Sequence, residues 1–116
     1  MDYKEVSIWV QARELVKIVY VLTKSFLDDE RFSLSSQVRR CAISVPSNIA
    51  EGCWRQTAKD TMHSLHIPRG SIYELETQLI SACDLNYISS DINTVLVEIE
   101  RIKKWLNGFI NYHRKL

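Results

Sequence analysis

Three side chains in the middle of the chain have the types and the spacing of metal ligands. Asp60, His63 and His66 stand at positions i, i+3 and i+6, so a helix would place them on roughly one face. Carboxylate oxygens and imidazole nitrogens are both common ligands of zinc. The chain contains no Glu-x-x-His motif, which di-iron helical bundles carry on two of their helices. A metal-dependent enzyme that uses these three residues is therefore the alternative to our leading hypothesis.

Other kinds of catalytic site have less support in the sequence. The three cysteines, Cys41, Cys53 and Cys83, have no Cys-x-x-Cys spacing, and we expect reduced thiols in a cytoplasmic protein. A catalytic nucleophile would need an oxyanion loop or a strand–turn–helix elbow, and neither pattern occurs. No glycine-rich loop is available to hold a phosphate group. We therefore expect a protein without enzymatic activity and without a cofactor.

A group of basic side chains beside one tryptophan is a better candidate for a functional site. Arg39 and Arg40 are adjacent in the chain, and Arg55 and Lys59 follow about one helix length later. Arginine suits phosphate because its planar guanidinium donates two parallel hydrogen bonds. Trp54 precedes Arg55, and its indole ring is able to stack on a base. These five residues form the predicted nucleic-acid-binding site.

The overall charge leaves a second interpretation of these arginines open. Fifteen Lys and Arg oppose fourteen Asp and Glu, a net charge of +1, whereas non-specific nucleic-acid binding usually needs a clear basic excess. The arginines can instead pair with Glu51, Glu74 or Glu76, within a subunit or between subunits. Glu76 falls near an apolar seam, where an unpaired charge is costly. We therefore expect Glu76 in a buried or interface pair with an arginine.

These residues depend for their placement on a predicted helix over residues 32–52. Apolar residues recur there every three or four positions, the spacing of one helix face. Pro46 lies inside this helix, where it deletes an amide donor and clashes with the carbonyl four residues earlier, so we predict a kink. We expect Asn48, beside the proline, to make a buried polar contact across the bundle. Gly52 is predicted to close the helix.

Three further helices are predicted from the same periodicity, at residues 5–27, 57–84 and 91–113. Pro68 and Gly70 interrupt the third of them, but its apolar seam keeps its phase, so we predict a kink rather than a break. Gly70 would also permit close approach of a neighbouring helix. The predicted N-caps of the second, third and fourth helices are Ser33, Thr57, and either Ser89 or Ser90.

Four helices with short connections predict an all-α fold. We expect one domain over residues 1–116, folded as an antiparallel, left-handed up-down four-helix bundle with the proline kink in its second helix. No alternating pattern indicates a strand, and no apolar run reaches the roughly 18 residues of a membrane span. The first residues lack the basic and apolar regions of a signal peptide, which agrees with a cytoplasmic location.

The first helix has a wider apolar surface than one packing seam requires. Val10, Ile18 and Val21 lie outside its best single seam. A bundle of this length has no room for a fully enclosed helix, so the outer edge is predicted to meet another subunit. We therefore predict a homo-oligomer.

The central block of the chain, SQVRRCAISVPSNIAEG at residues 36–52, resembles the signature of the 23S rRNA intervening-sequence proteins. A second block, Gly70-Ser71 followed by Glu-Leu-Glu-Thr-Gln-Leu at residues 74–79, is similar to the other signature of that family. The opening Tyr-Lys-Glu with Trp9 and Ala12-Arg13 resembles its first helix. The signature residues on which the resemblance rests are Pro46, Asn48, Glu51, Gly52, Gly70 and Glu76.

The resemblance implies a small bacterial bundle that assembles as a ring-like homo-pentamer. Relatives of the family act as accessory proteins of diversity-generating retroelements, which implies RNA or a reverse transcriptase as partner. The chain departs from the pattern at Cys53-Trp54, where the family usually has an aromatic residue and then glycine, and at Pro68, where it usually has alanine. Our leading hypothesis is a non-enzymatic, homo-oligomeric scaffold or accessory protein for RNA or a nucleic-acid enzyme.

Overall fold

The computed structural model describes residues 3–24, 26, 33–88 and 91–114, with side chains from residue 7 onward. Within these residues all regular structure is helical and no strand is present, as the sequence predicts. The four helices are α1 (Tyr3–Thr23), α2 (Leu34–Cys53), α3 (Ala58–Asp84) and α4 (Asn93–Arg114).

α1 is shorter at its carboxyl end than the predicted 5–27. Its last residue, Thr23, is buried, and the Thr23 hydroxyl donates to the carbonyl of Val19 at 2.9 Å. The amides of Lys24 and Phe26 donate to carbonyls three residues earlier, at 3.3 and 3.2 Å. Such i→i+3 bonds tighten a turn and end a helix. The turn brings Phe26 back into the core, where it is 6% exposed.

The amino ends of the other helices show how local polar groups set helix starts. Thr57 caps α3 as predicted, because its hydroxyl accepts from the amide of Asp60 at 3.1 Å. Ser33 occupies the N-cap position of α2, as predicted, but its side chain makes no capping hydrogen bond. The predicted caps of the fourth helix, Ser89 and Ser90, lie outside the described residues. The Asp91 carboxylate accepts from the amide of Asn93, the first residue of α4, at 2.8 Å.

One apolar core runs through the four helices and follows the predicted seams. Each helix contributes a row of side chains at three- and four-residue spacing, and most of these side chains are completely buried. α2 packs against α1 and α3, and α4 packs against α3 and α1. The fully buried members with the largest side chains are Ile8, Leu15, Val19, Ile49, Leu65, Ile72, Leu75, Leu79, Ile99, Ile102, Leu106 and Ile110.

Both internal prolines are buried in helices that continue past them. Around Pro46, side chains supply extra donors to backbone carbonyls: Ser44 Oγ donates to Cys41 at 2.6 Å and Ser47 Oγ to Ile43 at 3.0 Å. Asn48 Nδ2 donates to the Ser44 carbonyl of its own helix at 2.7 Å. The predicted contact of Asn48 across the bundle is therefore wrong. The carbonyl one turn earlier lies within reach of a short amide side chain, so the bond forms locally.

Neither of the two signature glycines has the role predicted for it. Gly52 does not end α2, which continues to Cys53; instead it permits a close approach of α3. A Cβ atom at Gly52 would lie 3.0 Å from Leu65 Cδ2 and 3.3 Å from Ser64 Cβ. A Cβ atom at Gly70 would meet nothing within 4 Å, so the predicted close approach at Gly70 is wrong within this chain. Gly70 lies on an exposed position of α3, outside the packed seam.

Candidate nucleic-acid interface

The predicted metal ligands do not assemble into a site. Asp60, His63 and His66 all lie on exposed positions of α3. Across the residues that the structure describes, no three His, Cys, Asp or Glu side chains come close enough together to hold one metal ion. The i, i+3, i+6 spacing aligns the three on one side of a helix but spreads them over two turns. The metal-dependent alternative therefore lacks a ligand set among the described residues.

Arg39 makes its contacts inside the chain, between α2 and α1. Its Nε donates to Thr23 Oγ1 at 2.7 Å, and one of its terminal nitrogens donates to the Tyr20 carbonyl at 3.3 Å. The guanidinium carbon lies 4.6 Å from the centre of the Tyr20 ring, a cation–π distance. The half-buried Arg39 thus joins the end of α1 to α2. Two of its nitrogens are engaged there rather than turned toward a ligand.

Arg40 is exposed and lines a shallow polar groove between α2 and α3. The groove is open and has a volume of about 460 Å³. Within the described part of the chain, no carboxylate lies within ion-pair distance of Arg40, although Glu74 lines the same groove. Gln78 Nε2 donates to Glu74 at 3.3 Å, while the buried Gln78 Oε1 has no hydrogen-bond partner. The groove therefore offers one guanidinium donor and several acceptors.

A buried cysteine, Cys41, is among the residues that line the same groove. Cys41 Sγ donates to the Ser71 carbonyl on α3 at 3.1 Å. Burial, with a smaller effect of the nearby Glu74 carboxylate, raises the pKa of Cys41 from 9.0 to about 11. Cys41 is therefore a protonated hydrogen-bond donor at neutral pH and not a nucleophile.

The remaining candidates lie at the turn between α2 and α3. Trp54 is 62% exposed, a large apolar area for a side chain at a turn. Arg55 forms an exposed ion pair with Glu51 one turn earlier, which is one of the pairings the sequence left open. Lys59 is exposed on the first turn of α3. Trp54 and Lys59 thus remain accessible to a ligand, and Arg55 is shared with Glu51.

The five predicted binding residues do not form one continuous surface. Arg39 contacts α1, Arg40 lines the α2–α3 groove, and the other three lie at the α2–α3 turn. Arg40 and Trp54 are fourteen positions apart in and beyond α2, which at 1.5 Å per residue is about 21 Å. A nucleic acid that contacted Arg40 and the turn together would have to follow most of the length of α2.

Glu76 has a different partner from the one predicted. Both of its carboxylate oxygens accept from Lys103 Nζ on α4 at 2.7 Å. Lys103 also donates to Glu100 at 2.8 Å and lies 4.7 Å from the centre of the Tyr73 ring. The pair is of the predicted kind, but it uses a lysine because Lys103, rather than an arginine, faces Glu76 across the α3–α4 contact. Sequence reasoning missed Lys103, although it follows the buried Ile102 in the α4 seam.

Residues 4–108 match the family described as the 23S rRNA-intervening sequence protein. The chain belongs to this family. The match includes all of α2 and α3, α1 apart from its first residue, and α4 as far as Gly108, so it contains all of the candidate residues described above. The family assignment predicted from the signature blocks is confirmed. No curated protein matches the chain. No helix in the described part combines the length and the apolar character that crossing a lipid bilayer requires.

Proposed function

We propose that this chain is a non-enzymatic, homo-oligomeric helical bundle that acts as a scaffold or accessory protein for RNA or for a nucleic-acid enzyme such as a reverse transcriptase. The observation that supports assembly is the outer edge of α1. Val10 and Val21 on this edge are 44% and 65% exposed. They are three helical turns apart and therefore on one line along the helix. The exposed Glu14–Lys17 ion pair lies on the same line between them, so the surface that we propose a second copy covers combines two valines with this pair.

The arrangement of the helices supports the same proposal. Tyr73 on α3 contacts Asn107 on α4 at 3.4 Å, and Glu76, later on α3, contacts Lys103, earlier on α4. Rising numbers on one helix meet falling numbers on the other, which supports the antiparallel up-down topology. We include in the proposal the left-handed packing and the kink at Pro46. The resemblance to the family implies five copies in a ring.

A cytoplasmic location belongs to the proposal as well. Cys41, Cys53 and Cys83 all lie within the described residues, and none of them forms a disulfide. Unbridged cysteines are typical of proteins from a reducing compartment.

Light scattering on the purified chain tests the assembly. We expect a mass several times the 13.5 kDa of one chain. Val21→Glu should lower that mass because it places a charge in the proposed contact. Val97→Glu is the matched control, since Val97 is a 51% exposed valine on α4 rather than on α1. A monomeric parent at micromolar concentration contradicts the proposal.

RNA binding is proposed at Arg40 and at the α2–α3 turn, where Trp54, Arg55 and Lys59 lie. The exposed Trp54 supports it, because an indole ring in water stacks readily on unpaired bases, and the neighbouring cations attract phosphate. A ring would carry this surface once per subunit, so that an RNA chain that contacts several subunits would bind more tightly than any single subunit binds it. Arg39 contributes less in this proposal because its Nε and one terminal nitrogen are already bonded to α1.

RNA retention and oligomer mass must be measured on the same variants. We expect RNA retention that falls steeply with added salt, because phosphate contacts release counterions. The Arg40→Glu, Arg55→Glu double variant should retain less RNA while keeping its mass, and Trp54→Ala should weaken binding by about 1–3 kcal/mol. A parent that retains no RNA at low salt, or a double variant of unchanged mass that binds as well as the parent, contradicts RNA binding at this surface.

A further inference from the structure

A second group of basic side chains lies on the face that α3 and α4 form together. The Tyr73–Asn107 contact indicates which turns of α3 and α4 lie side by side, and the Glu76–Lys103 pair indicates that the two helices run in opposite directions. His66 lies seven residues before Tyr73 on α3, and Arg114 lies seven residues after Asn107 on α4. Both are therefore about two turns from the Tyr73–Asn107 contact, toward the same end of the bundle. Arg69 follows His66 by three positions and lies on the same side of α3. The packing therefore brings two arginines and a histidine from two helices to one end of this face.

The cation cluster of His66, Arg69 and Arg114 has no acidic partner within the described residues, which sets it apart from Lys103. Lys103, in the middle of the face, is neutralised by Glu76 and Glu100. Among the described residues no carboxylate lies within ion-pair distance of Arg69 or Arg114. Arg69 is half-buried and Arg114 is exposed. An anion bound at the cluster would supply the counter-charge that the described residues do not.

The electrostatics at His66 agree with a local excess of positive charge. Partial desolvation first, and then the positive charges of Arg69 and His63 on α3 and of Arg114 on α4, lower the pKa of His66 below its ordinary 6.5. The groups that act on His66 from both packed helices are all basic. A bound anion would reverse their effect and raise this pKa.

We propose that His66, Arg69 and Arg114 form a binding site for a phosphate group, and that the phosphates of an RNA chain are its ligand. Two guanidinium groups supply paired donors for phosphate oxygens, and a protonated His66 adds a third charged donor. RNA as the source rests on the function proposed above, but the site is separate from Arg40 and the α2–α3 turn. The site should bind more tightly as the pH falls through the pKa of His66, because the imidazole then becomes a cation.

The experiment follows the imidazole of His66 by NMR in the isotopically labelled full chain, in a buffer without phosphate. A His66→Gln variant assigns its signal among those of the three histidines. Inorganic phosphate is the first probe, and a short single-stranded uridine oligomer is the second. Both should raise the pKa of His66. Arg69→Gln and Arg114→Gln should each reduce the slope of log affinity against log salt by about 0.7 for the oligomer. Lys104→Gln is the matched control, since Lys104 is exposed on α4 outside the cluster.

The two probes separate failure of the site from failure of the RNA function. If neither probe moves the pKa of His66, the proposed site is wrong, and RNA retained by the same sample would leave the proposed function intact. If phosphate moves this pKa but the oligomer neither moves it nor binds, the site is supported and its RNA ligand is contradicted. Equal losses in Arg69→Gln and Lys104→Gln would also contradict the site, since only general charge would then matter.

Discussion

Lys103 Nζ lies 2.7 Å from both carboxylate oxygens of Glu76 and so ties α4 to α3. The two side chains are only 11% and 23% exposed, which sets them apart from the other ion pairs within the described residues. Burial alone would lower the pKa of Lys103, but hydrogen bonds to Glu100 and Glu76 outweigh it and raise that pKa. The lysine is therefore charged in the folded protein, and its partners stabilise that charge.

Removing one member of this pair should destabilise the fold. Glu76→Gln leaves the nearly buried Lys103 ammonium with the more exposed Glu100 as its remaining carboxylate partner, and we expect a loss of about 1–3 kcal/mol in the free energy of unfolding. The double variant Glu76→Leu, Lys103→Met should recover most of this loss because no buried charge remains. Urea unfolding at one protein concentration measures both.

Arg101 provides the control for this pair. Its ion pair with Glu98 leaves the Arg101 side chain 64% exposed, so Arg101→Met should cost no more than about 1 kcal/mol. The stabilisation from the Lys103 pair should be complete below pH 10.5, the ordinary lysine value, and lost as the pH rises through the higher pKa of the folded state. Equal losses in Arg101→Met and Glu76→Gln would contradict a special role for the pair.

Alanine at the two signature glycines should change stability in opposite directions. At Gly52 the new Cβ would press on Leu65 Cδ2 at 3.0 Å, and we expect a loss of about 1–3 kcal/mol. At Gly70 the Cβ meets open space, so Gly70→Ala should stabilise α3 by about 0.5–1 kcal/mol. Thermal unfolding compares the two. A destabilising Gly70→Ala that also lowers the oligomer mass would show instead that another copy packs closely there.

Adjacent arginines should respond differently to removal. Arg39→Ala deletes the bond to Thr23 Oγ1 and the stacking on Tyr20, and we expect a loss of about 1–3 kcal/mol in the free energy of unfolding. Arg40→Ala deletes no ion pair that the described residues show, so its effect on stability should stay within about 0.5 kcal/mol. Similar losses in the two variants would show that the α1–α2 contact of Arg39 contributes little.

Cys41 should resist alkylation. Its pKa of about 11 leaves very little thiolate at pH 8, so its reaction with iodoacetamide should be slower than that of an ordinary exposed thiol by on the order of 100-fold. Quantitative peptide mass spectrometry measures the rate in the folded protein and, as the control, in urea. Because folding raises this pKa, the stability that the protonated thiol contributes is present below pH 9.0 and lost at higher pH. Equal rates in the folded and unfolded chain would contradict a buried thiol.

The sequence by itself was sufficient for the local and periodic features of this protein. Apolar spacing determined the four helices and their buried rows, because a helix must turn one face to the core wherever the chain leads. The Thr57 cap could also be predicted from the sequence, since the accepting hydroxyl of Thr57 and the donating amide of Asp60 lie only three residues apart. The signature block around Pro46 was sufficient for the family, which residues 4–108 confirm.

Only the tertiary structure decided which side chains meet across helices. Glu76 pairs with Lys103 rather than with an arginine, and Asn48 donates a hydrogen bond to its own helix. Gly52 rather than Gly70 permits the close approach of a neighbouring helix. Each outcome depends on helix register, and a shift of one residue rotates a helix by about 100°, which periodicity cannot resolve at a helix edge. The basic side chains of His66, Arg69 and Arg114, which have no acidic partner among the described residues, come from two helices and meet only because α3 packs on α4.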